Sequence, residues 1–569
     1  MKKIDRILDE ILNNRGITTD EAREEFLSAR PARTYDPFLL DGMKAGVDLL
    51  ISTAKSGGCI CIYGDYDADG VTASTVMARG VSELTDNWFF YIPSRFEEGY
   101  GLNVSAIDKI VERGADLILT VDCGCVSAGE VAYAKSKGLK VIVTDHHNIE
   151  DTIAEGIVID PKKPVKFMSE EGKEPYPCQD LAGCGVAYKF IQALQRQLGL
   201  PRTMLTESLD MVAVGTIGDI VPLRDENRTL VKYGIIQANS RLRPSLDHLA
   251  KAISVEEISS STIAFGIVPH INATGRMASA MEAVELFNSE DEDVIDEKVQ
   301  ELVRCNRERK QIQDEAFRKC KDMIQGDESF IVLYVDDMHE GIAGIVAGRI
   351  KDEFQRPVVI VTPSGEKGRA DENAVLLKGT GRSIKGVDIY DVLNRHSELF
   401  LRFGGHSKAC GFLMEASCLD KLKECVNNDV NELLAKDSTL FEKKPDVDAV
   451  ITPADVTVEL AKALDLLAPF GEGNPYPLFR MRNVRIRSVS YMGADMTHAR
   501  FSACAPASET GGQPGRYTYA ECVLFRKAQE MKPLLEGRDP VEITGSINLQ
   551  TWKGQERVQF IVEDITREK

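Results

Sequence analysis

The sequence predicts two α/β lobes joined by a long helical connector and followed by a small β-barrel. Three observations carry that reading. Between residues 59 and 145, short apolar runs alternate with helix-like stretches. Residues 281–325 contain neither Pro nor Gly. Beyond residue 476 the chain turns to short β-rich runs separated by turn residues. Strands separated by helices of about 10–15 residues return parallel, as in a doubly wound sheet, whereas closely spaced short strands close on themselves.

In chain order, residues 1–50 read as helices: an amphipathic IDRILDEILNN, then TTDEAREEFL with Thr19 or Asp20 as cap. The first α/β lobe covers 51–280, with strands in CICIY, WFFYI, LILTVD and KVIVTD, and helices in VTASTVMARGVSEL, SAIDKIVERG and SAGEVAYAKSKG. Such sheets place ligands at the carboxyl ends of their strands. Residues 281–325 are rich in charge and helix formers and read as one or two long solvated helices, the connector. The second, smaller lobe covers 326–440: strand FIVLYVD, helix GIAGIVAGRIKDEF, strand PVVIVTP. Residues 441–569 hold LFRMRNVRIRSVSYM, ARFSACA, YTYAECVLF, DPVEITGSINLQTW and ERVQFIVEDI, the pattern of an OB-fold barrel.

Composition sets limits. The 569 residues suit three to five domains, and 43% hydrophobic residues supply a large core. A net charge of −20 excludes a basic nucleic-acid coat protein but not a nucleic-acid enzyme, because bound cations reverse the local field. The 13 cysteines show no C-x-x-C spacing, so they read as reduced thiols rather than zinc or redox pairs. The first 16 residues hold no apolar signal core, and no stretch approaches 18 apolar residues. A cytoplasmic protein with no membrane partner is expected.

Four loops carry chemistry: Gly64-Asp65-Tyr66-Asp67-Ala68-Asp69-Gly70, Val121-Asp122-Cys123-Gly124, Thr144-Asp145-His146-His147 and Gly215-Thr216-Ile217-Gly218-Asp219. Three aspartates within five residues raise one another's pKa unless a cation neutralises them. In an extended loop their carboxylates would point to alternate sides and serve different ions. The four loops are expected at strand ends of one sheet, although the fourth follows the helix-like SLDMVAV. Hard oxygen ligands with an imidazole suit Mn²⁺ or Mg²⁺, and the absence of thiolates argues against structural zinc. Two such ions about 3.5–4 Å apart clamp a phosphate and activate water. A calcium-binding EF-hand is excluded: its twelfth position, counted from Asp65, is Val76 instead of Glu.

In this order the loops resemble the DHH phosphoesterase superfamily. The wording GDYDADGVTAS, RFEEGYGL, GTIGDIVPL, Asn272-Ala273-Thr274-Gly275-Arg276-Met277 and Ala468-Pro469-Phe470-Gly471-Glu472-Gly473-Asn474-Pro475 resembles the RecJ exonucleases within it. Phe403-Gly404-Gly405-His406 is similar to the DHH-associated domain. The resemblance spans roughly residues 50–567. It implies that Asp122 bridges two ions, that Asp67 holds the first, and that Asp69, His146 and Asp219 hold the second. It further implies that His147 faces the scissile phosphate and that Asp145 orients a histidine. Where several relatives carry a first-ion His, this chain has Tyr63, so the first site would be weaker or would use Asp65 and water.

Arg95, Thr380 and Arg382 would hold a terminal 5′-phosphate, with Arg276 a further phosphate contact, and the glycines around Arg276 and Arg382 read as turns that let backbone approach. His406 would approach substrate from the second lobe, and His339 would stand at a helix N-terminus. Arg485 and Arg487, with Arg480 and Arg482 nearby, would form a DNA track on the barrel, sharing a face with Phe479 and Tyr491 if strict alternation holds.

The implied activity is two-metal, 5′ to 3′ hydrolysis of single-stranded DNA with release of 5′ nucleotides, in recombination and repair. A cleft between the lobes would admit one strand and refuse a duplex. The enzyme would be a monomer, with a helicase and a single-strand-binding protein as partners. Two alternatives stand beside it: a DHH-type phosphodiesterase of short oligonucleotides or cyclic dinucleotides, and an inactive DNA-binding replication scaffold.

Overall fold

The computed structural model describes residues 2–28, 30–95, 98–99, 101–169, 172–364, 375–442, 445–506, 516–552 and 554–568. Phe96, Glu97 and Tyr100 of RFEEGYGL lie outside the described residues. The chain forms two compact units, Met1–Val268 with Pro445–Lys569, and Pro269–Lys444. The barrel therefore belongs to the same unit as the first lobe.

The first lobe is a five-stranded parallel sheet of β1 (Ile60–Tyr63), β2 (Trp88–Tyr91), β3 (Leu117–Val121), β4 (Lys140–Thr144) and β5 (Ile157–Ile159), ordered β2-β1-β3-β4-β5. The central strands β1 and β3 are buried along their whole length, as unbroken apolar runs between helices must be. Helices Val104–Glu112 and Ala128–Ser136 cover one face, bringing Ile107, Ile110, Val131 and Ala134 against Cys61, Ile118 and Val143. Helix Ala68–Val81 packs closely on Gly183–Leu198, where a Cβ on Gly80 would lie 2.4 Å from Ile191 Cγ2.

The second unit opens in helix Val268–Met277 and continues with helices Met281–Asn288 and Glu292–Met323, the last 32 residues long and capped by Asp291. Ile295, Val299, Leu302 and Cys305 form its buried stripe at helical spacing. The sheet that follows is mixed: β6 (Ile331–Tyr334), β7 (Val358–Pro363), β8 (Leu376–Arg382), β9 (Phe400–His406) and β10 (Ala409–Glu415), ordered β6-β7-β8-β10-β9. Only the β6–β7 pairing is parallel.

Within the first unit, β11 (Ala449–Ile451) leads into β12 (Phe479–Met492), β13 (His498–Pro506), β14 (Tyr517–Leu524), β15 (Val541–Trp552) and β16 (Gln555–Arg567). The order β12-β13-β14-β16-β15 is closed by pairing of β15 with β12, a five-stranded barrel. Ile7, Leu8, Ile11 and Leu12 of the helix Lys2–Asn14 belong to a hydrophobic core that runs on through Ile451, Leu460 and Leu464 to Phe479, Phe501 and Phe560 of the barrel.

Strict alternation fails along β12. Bulges between Met481 and Val484 and between Arg487 and Ser490, with Asn483 and Ser488 at φ +51° and +55°, switch the face twice. Arg485 and Arg487 point outward, but Phe479 is fully buried and Tyr491 packs against the barrel core, so the expected shared face does not form.

All 13 cysteines are free thiols. Among the described residues, no helix is long and apolar enough to cross a membrane.

Candidate metal and phosphate site

The carboxylates gather at the carboxyl edge of the parallel sheet. Leaving β1, Gly64 passes so close to the next helix that a Cβ would lie 2.2 Å from Ser74 Oγ. The loop does not stay extended: Asp67 caps the helix Ala68–Val81, its Oδ1 accepting from the backbone N–H of Asp69 (2.9 Å) and Gly70 (3.1 Å). Asp69 lies in the first helical turn and accepts from the amides of Gly183 (2.6 Å) and Cys184 (2.9 Å) at the start of another helix. Asp122 follows β3 in the left-handed region, at φ +60°.

Two glycines make room for these groups, Gly215 of the fourth loop and Gly183, which the motif reading passed over. A Cβ on Gly183 would stand 2.6 Å from Asp122 Cβ, and one on Gly215 would stand 2.8 Å from Asp69 Oδ1. Asp219 does not follow a strand; it caps the carboxyl end of helix Thr203–Gly218, the end whose dipole disfavours a negative charge.

His146 Nε2 is the meeting point. It lies 3.1 Å from Asp122 Oδ1, 3.6 Å from Asp219 Oδ2 and 3.8 Å from Asp69 Oδ2. Asp69, His146 and Asp219 offer ligand atoms within 4.8 Å of one another, as do Asp65, Asp67 and Asp122, and as do Asp122, His146 and His147. Asp65, Asp69, Asp122 and His146 are each at most 4% exposed.

Burial, and then the charges of neighbouring aspartates, hold the carboxyls of Asp65 and Asp122 well above their usual range and push Asp219 up to about 8. Burial lowers His146 to about 4, so the imidazole is neutral and can ligate. Both His146 ring nitrogens and Asp65 Oδ1 are buried without a hydrogen-bond partner. Orphaned oxygen and imidazole donors facing one another are what a hard divalent cation requires, and the donor set fits Mn²⁺ or Mg²⁺.

Asp145 has a different task. Its Oδ1 accepts from His146 N (2.7 Å), His147 N (3.2 Å) and His147 Nδ1 (2.7 Å), and its Oδ2 from Cys125 N (2.8 Å). Cys125, Asp145 and Asp160 also lie within ligand distance of one another, but these four contacts already occupy Asp145. Burial opposes charging His147, yet the bond to Asp145 outweighs it and raises the imidazole to about 9.

Tyr63 points away from the carboxylates. It is fully buried, donates its hydroxyl to Gly101 O (2.8 Å) and stacks on Tyr91. Arg95 sits beside the first loop with its guanidinium 5.1 Å from the Tyr66 ring centre.

In the second unit, three of the expected phosphate contacts, together with His339, surround the start of helix Glu340–Phe354. His339 caps it, accepting from Gly341 N at 3.1 Å, and Arg276 Nη1 donates to Gly341 O at 2.7 Å. A Cβ on Gly344 would meet both Arg382 Nη2 (2.8 Å) and Thr380 Cγ2 (3.3 Å). The local backbone differs from the expected turns: Arg276 lies in helix Val268–Met277 and Thr380 and Arg382 in β8. The β8 glycines serve packing, since a Cβ on Gly379 would stand 2.1 Å from the Phe412 ring and one on Gly381 would stand 2.7 Å from Ile389. His406 ends β9 at an exposed hairpin tip. On the barrel, Arg485 pairs across β13 with Cys504 and onward with Tyr519, which is 62% exposed, and Tyr517 is also exposed. These tyrosines, missed by the alternation argument, are legible only once the bulges fix the register.

Three family models match successive stretches: the DHH family N-terminal domain at residues 59–216, the DHHA1 domain at 327–432 and the RecJ OB domain at 447–564. The chain is 33% identical over 560 residues to the single-stranded-DNA-specific exonuclease RecJ of Bacillus subtilis, covering 97% of this chain and 67% of that protein. It is 31% identical to the protein of the same name from Salmonella typhimurium, covering 92% and 90%. The crystal structure of RecJ from Thermus thermophilus in complex with Mn²⁺ superimposes with a TM-score of 0.79 at 28% identity, covering 98% of this chain and 76% of that one. The Mg²⁺ complex of the same protein gives 0.73 at 27% identity, covering 98% and 74%. Models of the DHH, DHHA1 and RecJ OB domains thus follow one another along this chain, relatives at 31–33% identity cover more than nine-tenths of it, and the chain belongs to the RecJ family of DHH phosphoesterases.

Proposed function

We propose that this protein is a divalent-cation-dependent exonuclease that hydrolyses single-stranded DNA from its 5′ end and releases 5′ nucleotides, in DNA recombination and repair. The observation that carries the reading is the pair of donor triads, Asp65–Asp67–Asp122 and Asp69–His146–Asp219, joined where Asp122 Oδ1 lies 3.1 Å from His146 Nε2. Relatives named as single-stranded-DNA-specific exonucleases support the substrate.

Asp65, Asp67 and Asp122 would hold one ion, and Asp69, His146, Asp219 and a bridging Asp122 the other. Bound there, Mn²⁺ or Mg²⁺ supplies Lewis acidity at the phosphate and lowers the pKa of water. The chain does the rest. Asp145 fixes the His147 tautomer through Nδ1, so Nε2 carries the proton to the phosphate or to the departing sugar oxygen. Arg95, Thr380 and Arg382 would bind the terminal 5′-phosphate, Arg276 would supply a further phosphate contact, and His406 would approach the strand. Arg485 and Arg487 on the barrel, flanked by Tyr519 and Tyr517, suit sequence-independent contact with backbone and bases. A monomer in the cytoplasm, served by a helicase that exposes single strands and a protein that coats them, fits this chemistry.

Digestion of 5′-phosphorylated oligonucleotides with Mn²⁺ tests the reading, with single- and double-stranded forms labelled at either end. Label at the 5′ end should appear first as mononucleotide, from single strands only. Earlier release of the 3′ label, or equal cutting of duplex, would refute it. Faster cleavage of 2–5-mers than of long strands would favour a short-oligonucleotide phosphodiesterase.

A further inference from the structure

Away from the carboxylate cluster, four arginines and the two carboxylates Glu25 and Asp225 line one cavity of about 190 Å³, where the two N-terminal helices, the start of helix Asp225–Asn239 and the Gly473-Asn474 turn come together. Two of them have carboxylate partners. Arg15 pairs with Asp448 at 3.2 Å and donates to Asn474 Oδ1, and Arg33 pairs with Glu25 and lies 3.9 Å from Asp225. The other two have none among the described residues. Arg224 Nε donates to Gly473 O at 2.8 Å. Arg228, 4% exposed, is held by the carbonyls of Phe26 (3.0 Å), Leu467 (3.1 Å) and Ala468 (2.8 Å) and lies over the Phe26 ring.

Arg228 Nε is buried with no hydrogen-bond partner. Elsewhere in this unit the buried Lys189 is matched by Glu226, so a buried cation lacking a counter-charge is a departure from the chain's own practice. Burial, and then the charge of Arg15, lowers Arg228 to about 10, while Arg224 adds its repulsion to Arg15. Arg224 is also the N-cap of the 15-residue helix, without a side-chain cap, so the positive end of that helix dipole opens on the same cavity. A space of this size admits several waters, and so a tetrahedral oxyanion with part of its hydration.

We propose that this cavity is a second phosphate-binding site, in which an oxyanion held by Arg224, Arg228 and Arg33 ties the N-terminal helices to the segment leading into the barrel. The phosphate belongs either to a free anion, inorganic or nucleoside monophosphate, or to a phosphodiester of a bound strand. The inference is independent of the nuclease reading.

The test uses full-length protein in EDTA at fixed ionic strength. Melting temperature and calorimetric binding are followed with inorganic phosphate, with dAMP and with a 5′-hydroxyl oligothymidylate, against chloride. At least one probe should stabilise the wild type, and Arg224→Gln should weaken its binding at least tenfold. Arg33→Gln, at a side chain 46% exposed, should do the same and guards against misfolding of the first variant. Both variants should keep Mn²⁺-dependent cleavage in phosphate-free buffer. Binding of phosphate and dAMP assigns the free anion; binding of the oligothymidylate alone assigns the strand. No stabilisation above chloride by any probe, or equal stabilisation of wild type and both variants, overturns the proposal.

Discussion

Glu226 and Asp122 are buried carboxylates in the same unit, and their surroundings are opposite. Glu226 accepts from Lys189 Nζ (2.7 Å), Tyr35 N (3.1 Å) and Tyr176 Oη (2.7 Å), so both its oxygens and its charge are matched by the chain itself. Asp122 faces the charges of Asp69, Asp67, Asp65 and Asp219, with a neutral imidazole beside it. Burying a charge is tolerable when protein groups compensate it and costly when they do not. The first arrangement is finished within the fold; the second is finished only by something from outside. Where a fold leaves charge unmatched, it states what it is waiting to bind.

The comparison can be broken by exchanging the roles. Asp122→Asn should lower kcat by about 10³-fold or more while leaving metal-free stability unchanged or higher, because a repelling charge is removed. Lys189→Met should do the reverse: a loss of about 3–5 kcal/mol in unfolding free energy from the stranded Glu226, with kcat per folded molecule retained. Denaturant melts in EDTA and Mn²⁺ turnover read both. Equal destabilisation by the two substitutions would erase the distinction.

A pH series sharpens it. The Asp219 carboxyl titrates near 8 in the folded chain and near 4 when unfolded, so metal-free protein holds this contribution at acid pH and loses it as pH rises from about 4 through about 8. Divalent ions compete with the same protons. Stabilisation by Mn²⁺, about 2.7 kcal/mol at a hundredfold excess over Kd, should therefore be larger at pH 8 than at pH 5. Thermal shifts independent of pH would contradict the assignment.

The smallest effect belongs to Tyr63. Tyr63→Phe should cost about 1 kcal/mol for the bond to Gly101 and leave Mn²⁺ affinity untouched. An altered affinity would bring the phenol into the metal's surroundings.

Much of this was legible in the sequence, for identifiable reasons. Unbroken apolar runs located four strands of the parallel sheet; the central β1 and β3, buried along their whole length, have no polar alternation to hide them, and β2 is a half-buried edge strand. The three-residue β5 carries too little pattern to stand out. The helix-like SLDMVAV before Asp219 is indeed helical, and this rules out the strand-end position also expected for that loop. Gly379 and Gly381 read as a turn, yet they are strand residues that yield space to Phe412 and Ile389, a demand set by side chains distant in sequence. The face shared by Arg485 and Arg487 depends on bulges at Asn483 and Ser488, which nothing in the local sequence announces.

The packing of Ile7 and Ile11 into the hydrophobic core that continues into the barrel carries a consequence for biogenesis. Their partner Ile451 leaves the ribosome some 440 residues later, roughly 20–90 seconds at 5–20 residues per second. Through that interval the amphipathic first helix has no permanent burial place, while Pro269–Lys444 can fold as an inserted unit. Closure of the first unit is a late event, and a nascent chain arrested before β12 leaves this helix exposed to chaperones and proteases.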